Sequence, residues 1–73
     1  MQVFTVAQEI RHGEDHSDVE GDGLTLEAAV ANAMERGPIG YRPSDVPSSA
    51  AKVAAELQNG TKTALGWAWY IRR

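Results

Sequence analysis

The chain has 73 residues, no cysteine and a formal net charge of −3. At this length it forms one domain, residues 1–73, whose core leaves no more than about 3–5 kcal/mol of net stability. Without cysteine it has neither a disulfide nor a thiolate metal ligand, so apolar packing, self-association or a partner must hold it together.

Charge is unevenly spread, −6 over residues 1–36 and +3 over residues 37–73. The acidic half argues against direct contact with nucleic acid, whose binders present a basic stripe. Residues 1–10 lack the basic and apolar regions of a leader peptide, and no apolar run approaches the ~20 residues of a membrane span. The expectation is a soluble cytoplasmic protein that touches no membrane.

Residues 2–11 read as a strand. Phe4, Val6 and Ile10 share one face, and Thr5, Glu9 and Arg11 the other. Gln8 interrupts the apolar face, which points to a bulge or to the margin of the core. His12–Gly23 reads as a polar loop. A short strand around His16–Glu20 could pair back on the first through a turn near Gly13-Glu14-Asp15, although Val19, its single buriable residue, barely specifies it.

Residues 25–36 form a helix by pattern: Leu26, Ala29, Val30, Ala33 and Met34 make one stripe. Thr25 is its N-cap, Glu27 favours the dipole in the first turn, and Gly37-Pro38 stop it. Small residues at 29 and 33 allow close approach to a sheet, expected here to carry the tryptophans. Residues 37–47 hold all three prolines and form an ordered loop with Ile39, Tyr41 and Val46 as packing residues.

Residues 48–58 are alanine-rich, with Ala50, Val53, Ala54 and Leu57 as a helical stripe. Asn59-Gly60 is also a hairpin signal, so a strand through Val53, Ala55 and Leu57 is the alternative. Helix is preferred because alanine is the best helix former and a poor strand former. Residues 63–73 close the chain as a strand with Leu65, Trp67, Trp69 and Ile71 on one face, and Ala64, Gly66, Ala68, Tyr70 and Arg72 on the other. The tryptophans share a face with Leu65 and Ile71, which favours core filling over a ligand-stacking platform. The fold expected is α+β: a small antiparallel sheet of 2–4 strands with one or two helices packed on one face.

Catalytic constellations are scarce. His12 and His16 have a spacing seen in metal sites on helices, but in a strand they lie about 13 Å apart, so only a folded loop could bring them to one ion. Asp18-Val19-Glu20-Gly21-Asp22-Gly23 resembles the start of a calcium loop, yet the twelfth position is Ala29 and not glutamate. Gly21-Asp22-Gly23 lacks the lysine and hydroxyl of a phosphate loop. No serine stands in a nucleophile-elbow pattern. The expectation is a non-enzyme with no cofactor and no metal.

Binding features are more prominent. Glu14, Asp15, Asp18, Glu20, Asp22 and Glu27 form an acidic run without lysine or arginine, read either as a solvated segment or as a docking surface for a basic partner. Tyr70 and Arg72 share the small-residue face of the last strand, and tyrosine and arginine are favoured at interfaces. The candidate partner-binding residues are Glu14, Asp15, Asp18, Glu20, Asp22, Tyr41, Tyr70 and Arg72.

Thr25–Ala33, following Phe4-Thr5-Val6, resembles locally the strand-then-helix of HicB-type antitoxins over less than a quarter of the chain. In size, acidity, β-α-β order and lack of catalytic residues, the chain also resembles phage-encoded inhibitors of host defence such as the anti-CRISPR proteins. That second likeness implies a binding protein that blocks a basic surface on a host complex. The alternatives are an antitoxin-like or regulatory homodimer, and a small metal-dependent enzyme using His12 and His16.

Overall fold

The computed structural model describes residues 3–37, 41–60 and 68–72, the side chain of His12 apart. A two-residue turn sets the register of its sheet. Gly13 takes φ +66° while Glu14 keeps a negative φ, as in a type II′ turn, whose twist matches that of the strands it joins. Strands β1 (Phe4–His12) and β2 (Asp15–Gly23) pair without interruption from His12↔Asp15 to Phe4↔Gly23.

This corrects two expectations. Gln8 sits in a continuous ladder opposite Val19, with no bulge. The hairpin expected through Gly13-Glu14-Asp15 is formed, but its second strand runs for nine residues, Asp15–Gly23, in place of a short piece around His16–Glu20. The inner face of that strand is glycine at positions 21 and 23, so it lacks the apolar alternation that marks a strand in sequence.

Helix α1 (Leu26–Arg36) starts where the sequence places it. The Thr25 side chain accepts the Ala28 N–H at 3.1 Å, and the Gly37 N–H donates to Ala33 O. Gly37 has φ −72°, so it ends the helix without a left-handed conformation. Ala29, Val30, Ala33 and Met34 are buried. The close approach allowed by Ala29 and Ala33 is made to β2: a Cβ on Gly21 would lie 2.3 Å from Ala29 O and from Ala33 N. Thus α1 rests directly on the glycines of β2, while Trp69 joins the same buried cluster as its inward residues.

Helix α2 (Val46–Asn59) excludes the hairpin alternative for this segment. Asn59-Gly60 acts as its C-terminal cap, with Gly60 at φ +69° and its N–H reaching Glu56 O and Leu57 O. Strand β3 (Trp69–Arg72) pairs antiparallel with β1 on the side away from β2, from Thr5↔Arg72 to Gln8↔Trp69. Among the described residues the strand order is therefore β2-β1-β3, an open three-stranded sheet with β1 at its centre.

One face of the sheet carries the core. Val6 and Trp69 pack with Ala29, Val30 and Met34 of α1 and with Ala50 and Val53 of α2. Phe4 and Ile71 flank this cluster and are only partly buried, as is Ile10, which pairs with Ser17 toward the turn. Leu65 and Trp67, also expected in the core, lie outside the described residues. Gln8 and Trp69 face each other across β1 and β3, 6% and 5% exposed, and neither Gln8 Oε1 nor Trp69 Nε1 has a hydrogen-bond partner among the described residues.

Candidate partner-binding face

The helices leave the other face of the sheet uncovered. Strand alternation places Thr5, Ala7, Glu9 and Arg11 of β1 on it, and the ladder brings up their partners. Asp22 and Arg72 flank Thr5, Glu20 and Tyr70 flank Ala7, Asp18 faces Glu9, and His16 faces Arg11. Five of the eight candidate residues therefore converge on one surface: Asp18, Glu20 and Asp22 from β2, and Tyr70 and Arg72 from β3.

These residues are bonded to one another across the sheet. Tyr70 OH donates to Asp18 Oδ2 at 2.9 Å, and the Arg72 guanidinium forms an ion pair with Glu20 Oε1. Both links run from β3 to β2 over the central strand. Ala7 permits this: it lies between Glu20 and Tyr70 and is 0% exposed, although it is on the face away from the helices. A methyl group there leaves room for two long side chains to pass above it. Thr5 Oγ1 donates to Asp22 Oδ1 at 2.8 Å, and Arg11 Nε donates to Glu9 Oε1 at 2.8 Å. Among the described residues the face holds four carboxylates, Glu9, Asp18, Glu20 and Asp22, against two guanidiniums, Arg11 and Arg72.

The hydrogen bond to the Asp18 carboxylate raises the Tyr70 pKa above its ordinary value of 10.0, helped by partial desolvation and the Asp18 charge and opposed by Arg72. The phenol is thus held as a neutral donor that fixes Asp18 in place.

The remaining candidates lie elsewhere. Glu14 is in the turn, and Asp15 is the exposed first residue of β2, on the rung that closes the turn. Tyr41 packs against the hydrophobic core from the side of the helices. His16 is exposed opposite Arg11, while His12 pairs with Asp15 on the adjacent rung. Among the described residues no group of three or more histidine or carboxylate side chains is gathered to hold a metal ion. The groove between the helices is lined chiefly by Phe4, Leu24, Leu26, Ala54, Leu57 and Ile71, with Glu27 as its one ionisable residue among those described. No helix among the described residues is long and apolar enough to cross a membrane.

Thr5, Ala7, Glu9 and Arg11 complete the face and were not among the candidates. Their shared parity on β1 is visible in sequence. Their pairing with the acids of β2 follows only once Gly13-Glu14 is fixed as the turn. No protein-family model matches the chain, and no curated protein or solved structure matches it either. The local likeness of residues 25–33 to HicB-type antitoxins therefore has no family match behind it.

Proposed function

We propose that this protein is a non-enzymatic binding module that docks the uncovered face of its sheet onto a cationic surface of a partner protein. The observation that carries the reading is the convergence of Asp18, Glu20, Asp22, Tyr70 and Arg72, from strands distant in sequence, on the one face that the helices leave open. Carboxylates outnumber guanidiniums there, so charge complementarity selects a basic partner. The internal links to Tyr70, Arg72 and Thr5 hold the carboxylates in fixed positions before binding and reduce the ordering cost of association.

A domain of this kind acts by covering a surface, which is how a phage or mobile-element inhibitor of a host defence complex works. The test is charge reversal. Asp18→Lys combined with Asp22→Lys should abolish capture of a basic partner while circular dichroism still reports the folded domain. Undiminished capture by the folded double variant would refute the reading.

A further inference from the structure

The two backbone edges of β2 are treated differently along its length. In a hairpin closed by a two-residue turn, the closing pair exchanges backbone hydrogen bonds, and every second rung then repeats the pattern. The closing pair is His12–Asp15, so the N–H and C=O groups of His16, Asp18, Glu20 and Asp22 point away from β1. Side chains of α1 meet them at one end: Asn32 Nδ2 donates to Asp22 O at 2.5 Å, and Arg36 Nη1 donates to Glu20 O at 3.4 Å. The same alternation sends the Glu9 N–H to the opposite side of β1, where it donates to Ala68 O at 2.9 Å.

The cover stops short of the turn. His16 and Asp18 are exposed, and no described residue bonds their outward backbone groups. An exposed strand edge with free donors and acceptors is a template for another strand. We infer that the edge of β2 at His16 and Asp18 is a strand-addition site, and that its occupant is an extended partner segment with lysine or arginine at alternate positions. The inference rests on the uncovered sheet face being the docking face, and it adds how the partner is held there.

Charge identifies the occupant. A strand laid beside β2 would place alternate side chains over the uncovered face next to Asp18, with Glu20 one rung further and Glu14 and Asp15 at the turn. Strand β2 carries no lysine or arginine, and the described guanidiniums beside it are already bonded: Arg11 to Glu9, Arg36 to Glu20 O and Arg72 to the Glu20 carboxylate, which leaves Asp18 without a cationic partner among the described residues. A second copy pairing β2 to β2 would set these acids against their own equivalents, so a cationic strand fits where another copy does not.

Amide hydrogen exchange in the intact chain tests this, with a short peptide alternating lysine and valine as the probe. Its fully N-methylated counterpart has the same charge and no N–H to pair. The first peptide should slow exchange of the His16 and Asp18 amides by about tenfold, and the methylated one should not. Equal effects of the two peptides, protection elsewhere only, or no binding would overturn the inference. Concentration-dependent protection without peptide would also overturn it, in favour of a second copy. His16→Pro separates the two readings, since it removes an outward N–H and leaves every carboxylate. If His16→Pro binds as the parent does while the Asp18→Lys, Asp22→Lys variant fails to bind, the face is the docking surface and the edge is not.

Discussion

Three small residues decide how the layers of this domain fit. Gly21 and Gly23 let α1 sit directly on β2, because a Cβ at either position would fall inside the backbone of the helix. Gly21→Ala should therefore cost roughly 1–3 kcal/mol, the usual range for overpacking, as measured by urea denaturation. A loss much smaller than this would mean that α1 can lift from the strand freely. Ala7 plays the corresponding part on the other face. Ala7→Leu should fill the channel that Tyr70 and Arg72 cross, and so break both links to β2. The readout is the alkaline titration of Tyr70 by ultraviolet absorbance. In the parent the folded pKa lies above 10.0, so the stability contributed by the bond to Asp18 is complete below pH 10 and fades as pH rises through the raised value. In Ala7→Leu the phenol should titrate closer to 10.0.

At the scale of elements, α2 is where two local signals compete. Asn59-Gly60 fits a hairpin as well as a helix end, and alanine content favours the helix. The helix is formed, and Gly60 stands at φ +69° as its left-handed cap. Gly60→Ala should cost about 1–2 kcal/mol in thermal or urea unfolding, because a Cβ is disfavoured in that conformation. A neutral effect would show that the cap relaxes. Strand β2 presents the opposite case, since its residues give almost no local indication of a strand. Pairing with β1 and the seat beneath α1 make it one, and the capping of Glu20 and Asp22 carbonyls by Arg36 and Asn32 protects its edge.

For the whole molecule, the two faces of the sheet divide the work. Apolar packing on the helical face holds the fold, while charge on the other face carries the proposed recognition. These contributions respond differently to salt. Screening shortens from about 10 Å at 0.1 M to about 3 Å at 1 M, so capture of a basic partner should weaken markedly over that range. Unfolding of the isolated domain should shift far less. Capture that is insensitive to salt would contradict charge-led docking. The cross-sheet pairs are exposed and add little to stability on their own. Their effect is to hold the carboxylates of β2 and the short strand β3 in one arrangement.

By itself, the sequence determined the elements with strong local signals. The stripe of α1, its Thr25 cap, the alternation of β1, and the opposite faces of Trp69 and Tyr70 are all properties of neighbouring residues. The acidic run and the Tyr70/Arg72 pair were also visible, but as two separate features fifty or so residues apart in the chain. That β1 lies between β2 and β3, so that Asp18 meets Tyr70 and Glu20 meets Arg72, follows only from how the strands pair in three dimensions. The reason is physical. Strand order and the seating of a helix on glycine depend on contacts between segments far apart in sequence. A glycine marks such a contact by the space it leaves, and the sequence does not show what occupies that space.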